Sequence, residues 1–372
     1  MSQPTIVQLL DFIPNSWRSM EQLLVGLAGR MQQEGWRTIH VFTGEPSDRM
    51  REALLEVGSS YLVVGDPMTA ADAQRIIPLL RAESPALIQT HFLSVFNPLL
   101  RRIKKGAGAR KLVVTDHSSG LASRKSPPKE ALAWLRGRYA ASYIDQVIGV
   151  SEFVCKRDIE GIHMPAQKVA CIHNGVDVRR YVPAAERPAG DAPFTVGFIG
   201  YQVPQKGLGT LLDAMAQLAG QGRDFRLVIA GEGPHAAAFQ AQASRLGLGE
   251  RTRFLGQVSD TAGFYQQLDV LVVPSEWEEA FGFVVAEAAA CGVCVVTSDV
   301  GGIPEIVGRN GEGGLVFARG RKDELASLLV GLMDDPAARQ ALGQRARDRM
   351  VQRFSIDVTV DAYARTLMGL LR

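Results

Sequence analysis

The chain has 372 residues, 46% of them hydrophobic and 22% charged, with a formal net charge of +2. This length suggests two domains, or three, with full cores, and the near-neutral charge gives no reason to expect nucleic acid as a partner. No stretch reaches about 18 uninterrupted apolar residues, so no transmembrane helix is expected.

The start, Met1-Ser-Gln-Pro-Thr-Ile-Val-Gln-Leu-Leu10, lacks a basic n-region, and Asp11 interrupts its apolar run, so it does not read as a secretory signal. Lys322-Asp-Glu-Leu325 is internal and is not a retention signal. The cytoplasm is the expected compartment. Apolar runs then alternate with amphipathic segments. Strands are predicted at Thr5–Leu10, Thr38–Phe42, Tyr61–Val64, Leu87–Thr90, Lys111–Thr115, Gln146–Val150 and Val169–His173. Helices are predicted between them at Met20–Gln33, Arg49–Val57, Ala70–Arg81, Val95–Lys105 and Lys129–Tyr143, with a short one opening at the N-cap candidate Ser151. Asn174-Gly175 marks a turn. The stretch Pro183–Pro193 holds three prolines and no periodicity, and reads as an interdomain linker.

The pattern restarts with strand Phe194–Ile199 and helix Gly207–Ala219. Strand Phe225–Ala230, helix His235–Leu246, strand Arg253–Leu255 and helix Thr261–Gln267 follow. The next strand lies in Asp269-Val-Leu-Val-Val-Pro-Ser275, with a helix from Phe283 to Cys291-Gly292 and a strand at Val293–Thr297. A Gly301-Gly302 loop and helices near Asp323–Met333, Ala337–Val351 and Ile356–Leu371 close the chain. Such alternation predicts two doubly wound, mostly parallel α/β sheets, whose ligands bind beyond the carboxyl ends of the strands.

Glu279 falls in the loop after the Asp269 strand, and Glu287 falls about one turn inside the following helix. Between them, the N–H groups around Phe281, Gly282 and Phe283 are the unpaired donors of a helix N-terminus, suited to oxygens and anions. Cys291-Gly-Val-Cys294 has metal-pair spacing, but Cys155 and Cys171 form no second close pair, and a packing role is favoured. Gly231-Glu-Gly233 reads as a turn.

On these residues the chain resembles the retaining glycosyltransferases of family 4, which have the GT-B fold of two Rossmann-like domains. The resemblance covers essentially the whole length. It rests on Glu279-x7-Glu287 followed by Ala288-Ala-Ala-Cys-Gly292, on Ile303-Pro304-Glu305 after Gly301-Gly302, on Asn174-Gly-Val-Asp177 and on Val150-Ser151. It implies an N-terminal acceptor-side domain, 1–185, a nucleotide-sugar domain, 186–353, and a last helix, 354–372, returning to the first. It also implies sugar transfer from a nucleotide sugar to a glycan, lipid-linked or small-molecule acceptor, as in the making of envelope polysaccharide or glycolipid. The retaining reaction that the resemblance implies is often described as a front-face substitution in which the leaving phosphate helps take the acceptor proton.

The same resemblance assigns candidate roles. Catalytic candidates are His117 against the transferred sugar, Lys206 against the diphosphate and Glu279 at a sugar hydroxyl. Donor-binding candidates are Glu287 at the ribose, with Arg18, Gly200, Phe281, Gly282, Phe283 and Val258. His91 is a weaker candidate, and His173 orders the turn at Asn174. The chain contains no Asp-x-Asp pair, so Lys206 and helix N-termini are expected to neutralise the leaving diphosphate, with no metal or other cofactor. Two departures stand out. Tyr201 occupies the position after Gly200, where similar enzymes carry a cation. Arg18-Ser19-Met20-Glu21 replaces a Gly-Gly loop, and Arg18 is the candidate replacement cation.

Residues 99–138 hold eleven Lys/Arg against Asp116 and Glu130. They form either a solvated face or a surface for an anionic acceptor or the inner face of a membrane. Two other readings remain open: a non-catalytic protein of the same fold that binds a nucleotide sugar or glycan, and a nucleotide-sugar epimerase. A dehydrogenase is disfavoured, because neither half opens with Gly-x-Gly-x-x-Gly.

Overall fold

The computed structural model describes residues 3–65, 68–120, 126–185, 193–308 and 310–372. The chain divides into two compact units, Met1–Gly175 with Ile356–Arg372, and Val176–Ser355.

In the first unit, seven parallel strands run β1 (Thr5–Leu10), β2 (Arg37–Phe42), β3 (Ser60–Val63), β4 (Pro85–His91), β5 (Lys111–Asp116), β6 (Gln146–Gly149) and β7 (Val169–Cys171). Their order in the sheet is β3-β2-β1-β4-β5-β6-β7. Every residue of β1 and β4 is buried, as expected of central parallel strands covered on both faces. The helices are α1 (Ser19–Gln33), α2 (Asp48–Glu56), α3 (Ala70–Ala82), α4 (Leu99–Ala107), α5 (Pro127–Ala141) and α6 (Glu152–Glu160). Ser151 caps α6 by accepting from Val154 N at 3.1 Å. The C-terminal helix (Ile356–Leu371) completes this unit. Its Ile356, Val360, Tyr363 and Leu367 share a core with Leu23, Leu27 and Met31 of α1. Gly26 permits that approach, since a Cβ there would stand 3.0 Å from Val360 Cγ2.

The second unit has six parallel strands, β8 (Phe194–Ile199), β9 (Phe225–Ala230), β10 (Thr252–Gly256), β11 (Val270–Val273), β12 (Cys294–Ser298) and β13 (Leu315–Phe317), ordered β10-β9-β8-β11-β12-β13. Its helices are α7 (Leu208–Gly220), α8 (Ala236–Arg245), α9 (Thr261–Gln266), α10 (Phe283–Ala290), α11 (Ile303–Val307), α12 (Lys322–Asp334) and α13 (Pro336–Arg353). Both sheets reverse direction of winding once, between β1 and β4 and between β8 and β11. The carboxyl ends at these switch points are where such folds bind ligands.

Two expectations are corrected, and two further elements appear. The units divide at Gly175/Val176, not at 185/186, because Val176 N donates to Phe354 O at 2.8 Å and the Arg347 guanidinium donates to Val178 O and Tyr181 O at 2.9 and 2.6 Å. Part of the expected linker, residues 186–192, lies outside the described residues. Helix α4 begins at Leu99 instead of Val95, because Pro98 disfavours a helical Asn97 and Asn97 Oδ1 accepts from Leu99 N. Helix α11 and strand β13 were not expected. Each is five residues or fewer, and β13 exists by pairing Leu315 with Val296 of β12.

Candidate functional site

In the second unit, Lys206, Ser275 and Glu279 meet beyond the carboxyl end of β11. Lys206 Nζ donates to Glu279 Oε1 at 2.5 Å, and the buried Ser275 hydroxyl donates to the same oxygen at 3.1 Å. Lys206 ends a 3₁₀ turn, Pro204–Lys206, whose next residue, Gly207, has φ 71°. A Cβ at Gly207 would run into Pro274 O, so glycine lets this turn press against the strand end. Glu276 N donates to Gln205 O at 2.8 Å and ties the two loops together. From the other side, Gly301 N donates to Glu278 Oε2 at 2.5 Å and Gly302 N to Glu279 O at 2.8 Å. The expected Gly-Gly loop is therefore a brace for the Glu278-Glu279 backbone.

Gly282 opens α10 at φ 111°, and the N–H groups of Phe283 and Val284 begin that helix without a backbone acceptor among the described residues. They carry the positive end of the helix dipole. The Phe281 ring is buried, 5.3 Å from the Phe283 ring and 6.1 Å from Phe354, so only its backbone is offered to a ligand. Glu287 lies further along the same helix and accepts from Tyr265 Oη at 2.8 Å. Burial and the Glu287 charge push the Tyr265 phenol well above its ordinary range, and push Tyr181 up to about 12, so both stay protonated beside the carboxylate. The same two causes push the Cys291 thiol up to about 12. Cys291 and Cys294 are both buried, in keeping with a packing role.

Gly200 follows β8, with Tyr201 exposed after it. Gly231 (φ 107°) lies so close that a Cβ there would meet Gly200 O, which makes Gly231-Glu-Gly233 a structural turn. Val258 lies in the loop after β10, partly buried.

In the first unit, His117 follows β5. Its Nε2 lies 3.1 Å from His91 Nδ1, and the Phe92 ring stacks on it with centroids 4.5 Å apart. Phe92 is held at φ 63°, a left-handed conformation that is strained for an aromatic residue. Burial lowers the His117 ring to about 4 and His91 well below its ordinary range, so both are neutral at pH 7. The loop carrying His117 is anchored by Asp116, whose Oδ1 accepts from Ser118 N at 2.7 Å and whose Oδ2 accepts from the Arg157 guanidinium at 2.8 Å. Arg157 also donates to Ser118 O at 2.6 Å. His173 O accepts from Thr359 Oγ1 at 3.1 Å, near the Asn174 turn. Arg18 is exposed at the start of α1, and its guanidinium is unpaired among the described residues. Glu21, buried, instead accepts from Arg18 N and Ser16 Oγ. Arg18 and Tyr201 belong to different units.

The basic segment is divided in its use. Lys104 is tied to Asp145 at 2.6 Å, Arg101 to Tyr139 Oη at 2.6 Å, and Arg136 stacks over Phe96. Arg124 and Lys125 lie outside the described residues. Helix α5 buries only small residues, Ala133, Gly137 and Ala140, and leaves Leu132, Trp134, Leu135 and Tyr139 more than half exposed.

The family model for glycosyl transferases group 1 matches residues 184–349, and that for glycosyltransferase family 4 matches residues 20–180. The chain belongs to the group 1, family 4 glycosyltransferases. A glycogen synthase of Mycobacterium tuberculosis is 32% identical over 207 residues, 55% of this chain and 49% of that protein, so the match spans about half the relative's length. A GDP-mannose-dependent alpha-(1-6)-phosphatidylinositol monomannoside mannosyltransferase of Mycolicibacterium smegmatis is 28% identical over 302 residues, 77% of this chain and 76% of the relative. Among solved structures, a glycosyltransferase from Rickettsia africae superposes with a TM-score of 0.80 at 17% identity, covering both chains completely. Anabaena HepE in complex with UDP and glucose gives 0.77 at 21% identity, covering 98% of this chain and 99% of that one. These likenesses establish the GT-B fold.

Sequence reasoning did not find Tyr265, Ser275, Phe92, Gln8 or Gln89. The signal for the last two was a glutamine inside each of two mostly apolar strands.

Proposed function

We propose that the chain is a retaining glycosyltransferase that moves a sugar from a nucleoside diphosphate donor to a glycan or lipid-linked acceptor, without a metal. The observation that carries this reading is the Lys206–Glu279 ion pair beside the free N–H groups of α10. The sugar C1–O bond to the diphosphate breaks, and a bond from C1 to the acceptor oxygen forms on the same face. The acceptor proton passes to the leaving phosphate. Lys206 and the α10 N-terminus meet the negative charge that grows on the diphosphate, which is where fixed positive groups accelerate such a step most. Glu287, oriented by Tyr265, accepts from the ribose hydroxyls, and Glu279 from a sugar hydroxyl, while His117 contacts the transferred sugar. Incubation with a panel including UDP-glucose and GDP-mannose, watching nucleotide release, tests this. Binding of a donor without release in the presence of any acceptor would favour the non-catalytic binder.

On the acceptor side, the reading is a lipid-linked substrate met at an anionic membrane. Its support is the exposure of Leu132, Trp134, Leu135 and Tyr139 on α5, with Lys129, Arg136 and Arg138 exposed on the same helix and Arg101 hydrogen-bonded to Tyr139 Oη. Apolar and aromatic residues set among basic ones are the composition of helices that lie in a bilayer interface. A second copy of the chain on the same face would bring like charges together.

A further inference from the structure

The ring nitrogens of His117 are not equivalent, and the buried face of the sheet decides between them. Gln8, Gln89, His91 and Thr115 lie on the adjacent strands β1, β4 and β5 and are all essentially inaccessible. They form one continuous chain of hydrogen bonds. Gln89 Nε2 donates to Thr115 Oγ1 at 2.9 Å, and Gln8 Nε2 donates to Gln89 Oε1 at 3.0 Å. With the amides in this orientation, Gln8 Oε1 faces His91 Nε2 at 3.1 Å, and His91 Nε2 then carries the proton. A neutral imidazole has one N–H. His91 Nδ1 is therefore an acceptor, and the nitrogen 3.1 Å from it, His117 Nε2, is the donor. What remains on His117 is Nδ1, a lone pair with no hydrogen bond among the described residues, while Phe92 covers the ring face.

We propose that His91, Gln8 and Gln89 are positioning residues that hold His117 as its Nε2–H tautomer, so that His117 meets substrate as an acceptor through Nδ1 and selects a group bearing a hydrogen, a sugar hydroxyl. This rests on the reading that His117 contacts the transferred sugar. It adds that this contact is to an O–H hydrogen, and that a phosphate or carbonyl oxygen, which needs a donor, is rejected there. It also explains why a histidine and two glutamines occupy fully buried central strands. A buried polar group is tolerated where each member is satisfied, and a chain of this kind specifies one arrangement.

The test reads the tautomer directly. In the full-length chain labelled with ¹⁵N-histidine, long-range proton–nitrogen correlation spectra at pH 7.5 should show His117 protonated at Nε2 and bare at Nδ1. A proton on Nδ1 of the wild type overturns the proposal, whatever any variant does. In Gln8→Leu/Gln89→Leu, which removes both amides together and leaves neither without its partner, both tautomers of His91 and His117 should appear. An unchanged single tautomer in that folded variant overturns the assigned role of the amides. His91→Phe, which leaves Nε2 of His117 without its acceptor, should lower kcat/KM about tenfold, the effect of one lost positioned hydrogen bond. That rate is measured with whichever of UDP-glucose or GDP-mannose supports turnover. His117→Asn, whose Oδ1 is an acceptor near the Nδ1 position, should keep more activity than His117→Phe. Full activity of His117→Phe, with the wild-type tautomer as expected, overturns the substrate contact while the positioning chain stands.

Discussion

Lys206 Nζ and Glu279 Oε1 are 2.5 Å apart, joined across two loops that follow different strands of one sheet. The pair is partly exposed, with side-chain accessibilities of 34% and 17%, so as an ion pair it contributes little to stability. Its importance lies in placement. Under the proposed function, a donor diphosphate arriving at the α10 N-terminus would compete with Glu279 for the ammonium and free the carboxylate for a sugar hydroxyl.

Lys206→Ala should therefore lower kcat by about 100-fold, in the range found when one preorganised group facing transition-state charge is lost. The melting temperature should move little. Steady-state kinetics beside a thermal melt check this, and an equal loss of folding and activity would place Lys206 in the scaffold.

Glu287→Gln should weaken nucleotide binding at least tenfold, since a hydrogen bond to a charged group is worth about 1.5–3 kcal/mol. Tyr265→Phe, which removes only the hydroxyl that donates to Glu287, should give a smaller loss in the same direction. Calorimetric titration with UDP and GDP measures both, and equal affinity in all three proteins would take Glu287 out of the nucleotide site.

Turnover should survive EDTA. Lys206 and the α10 amides are the groups proposed to neutralise the diphosphate, so chelation removes nothing the reaction uses. Loss of activity with EDTA, restored by manganese, would contradict the metal-free reading.

Stability should fall as the medium is acidified below about pH 6.5. Burial holds His40 at about 3, His117 at about 4 and His91 well below its ordinary value. Unfolding releases these rings to bind protons at an ordinary pKa of about 6.5. Their contribution is thus fully present above that pH and is lost as pH falls towards the folded values, by up to about 1.4 kcal/mol per pH unit for each ring. Asp158 works in the opposite sense. Burial and the Asp116 charge push it up to about 9, so its contribution declines as pH rises from about 4 to 9. Chemical denaturation from pH 4 to 9 should show the acid limb in the wild type, and Asp158→Asn should flatten the alkaline decline.

Sedimentation with vesicles tests the α5 surface. Wild-type protein should pellet with anionic vesicles and be released by salt, since each basic side chain contributes about 1 kcal/mol at such a surface and the field decays over about 10 Å at 0.1 M. Trp134→Ala/Leu135→Ala and Arg136→Gln/Arg138→Gln should each reduce pelleting. Equal recovery of all three proteins in the supernatant would leave the face solvated and point to a soluble acceptor.

The two-unit α/β plan and the Glu279–Glu287 stretch were legible in the sequence because local signals carry them. Strands buried on both faces are apolar runs, Gly282 sits at the turn where α10 begins, and the two carboxylates are held eight residues apart by one loop and one helix. What only the tertiary structure decided depends on contacts distant in sequence. The division at Gly175/Val176 follows from Arg347, whose guanidinium reaches back to Val178 O and Tyr181 O. Lys206 meets Glu279 because β8 and β11 are neighbours in the sheet. The neutral His117 follows from its burial, and the tautomer proposed for it rests on Gln8, Gln89 and His91 lying side by side on β1 and β4. No spacing rule reports that, since strand order is set by the packing of the whole sheet and a hydrogen-bond direction by every partner along the chain.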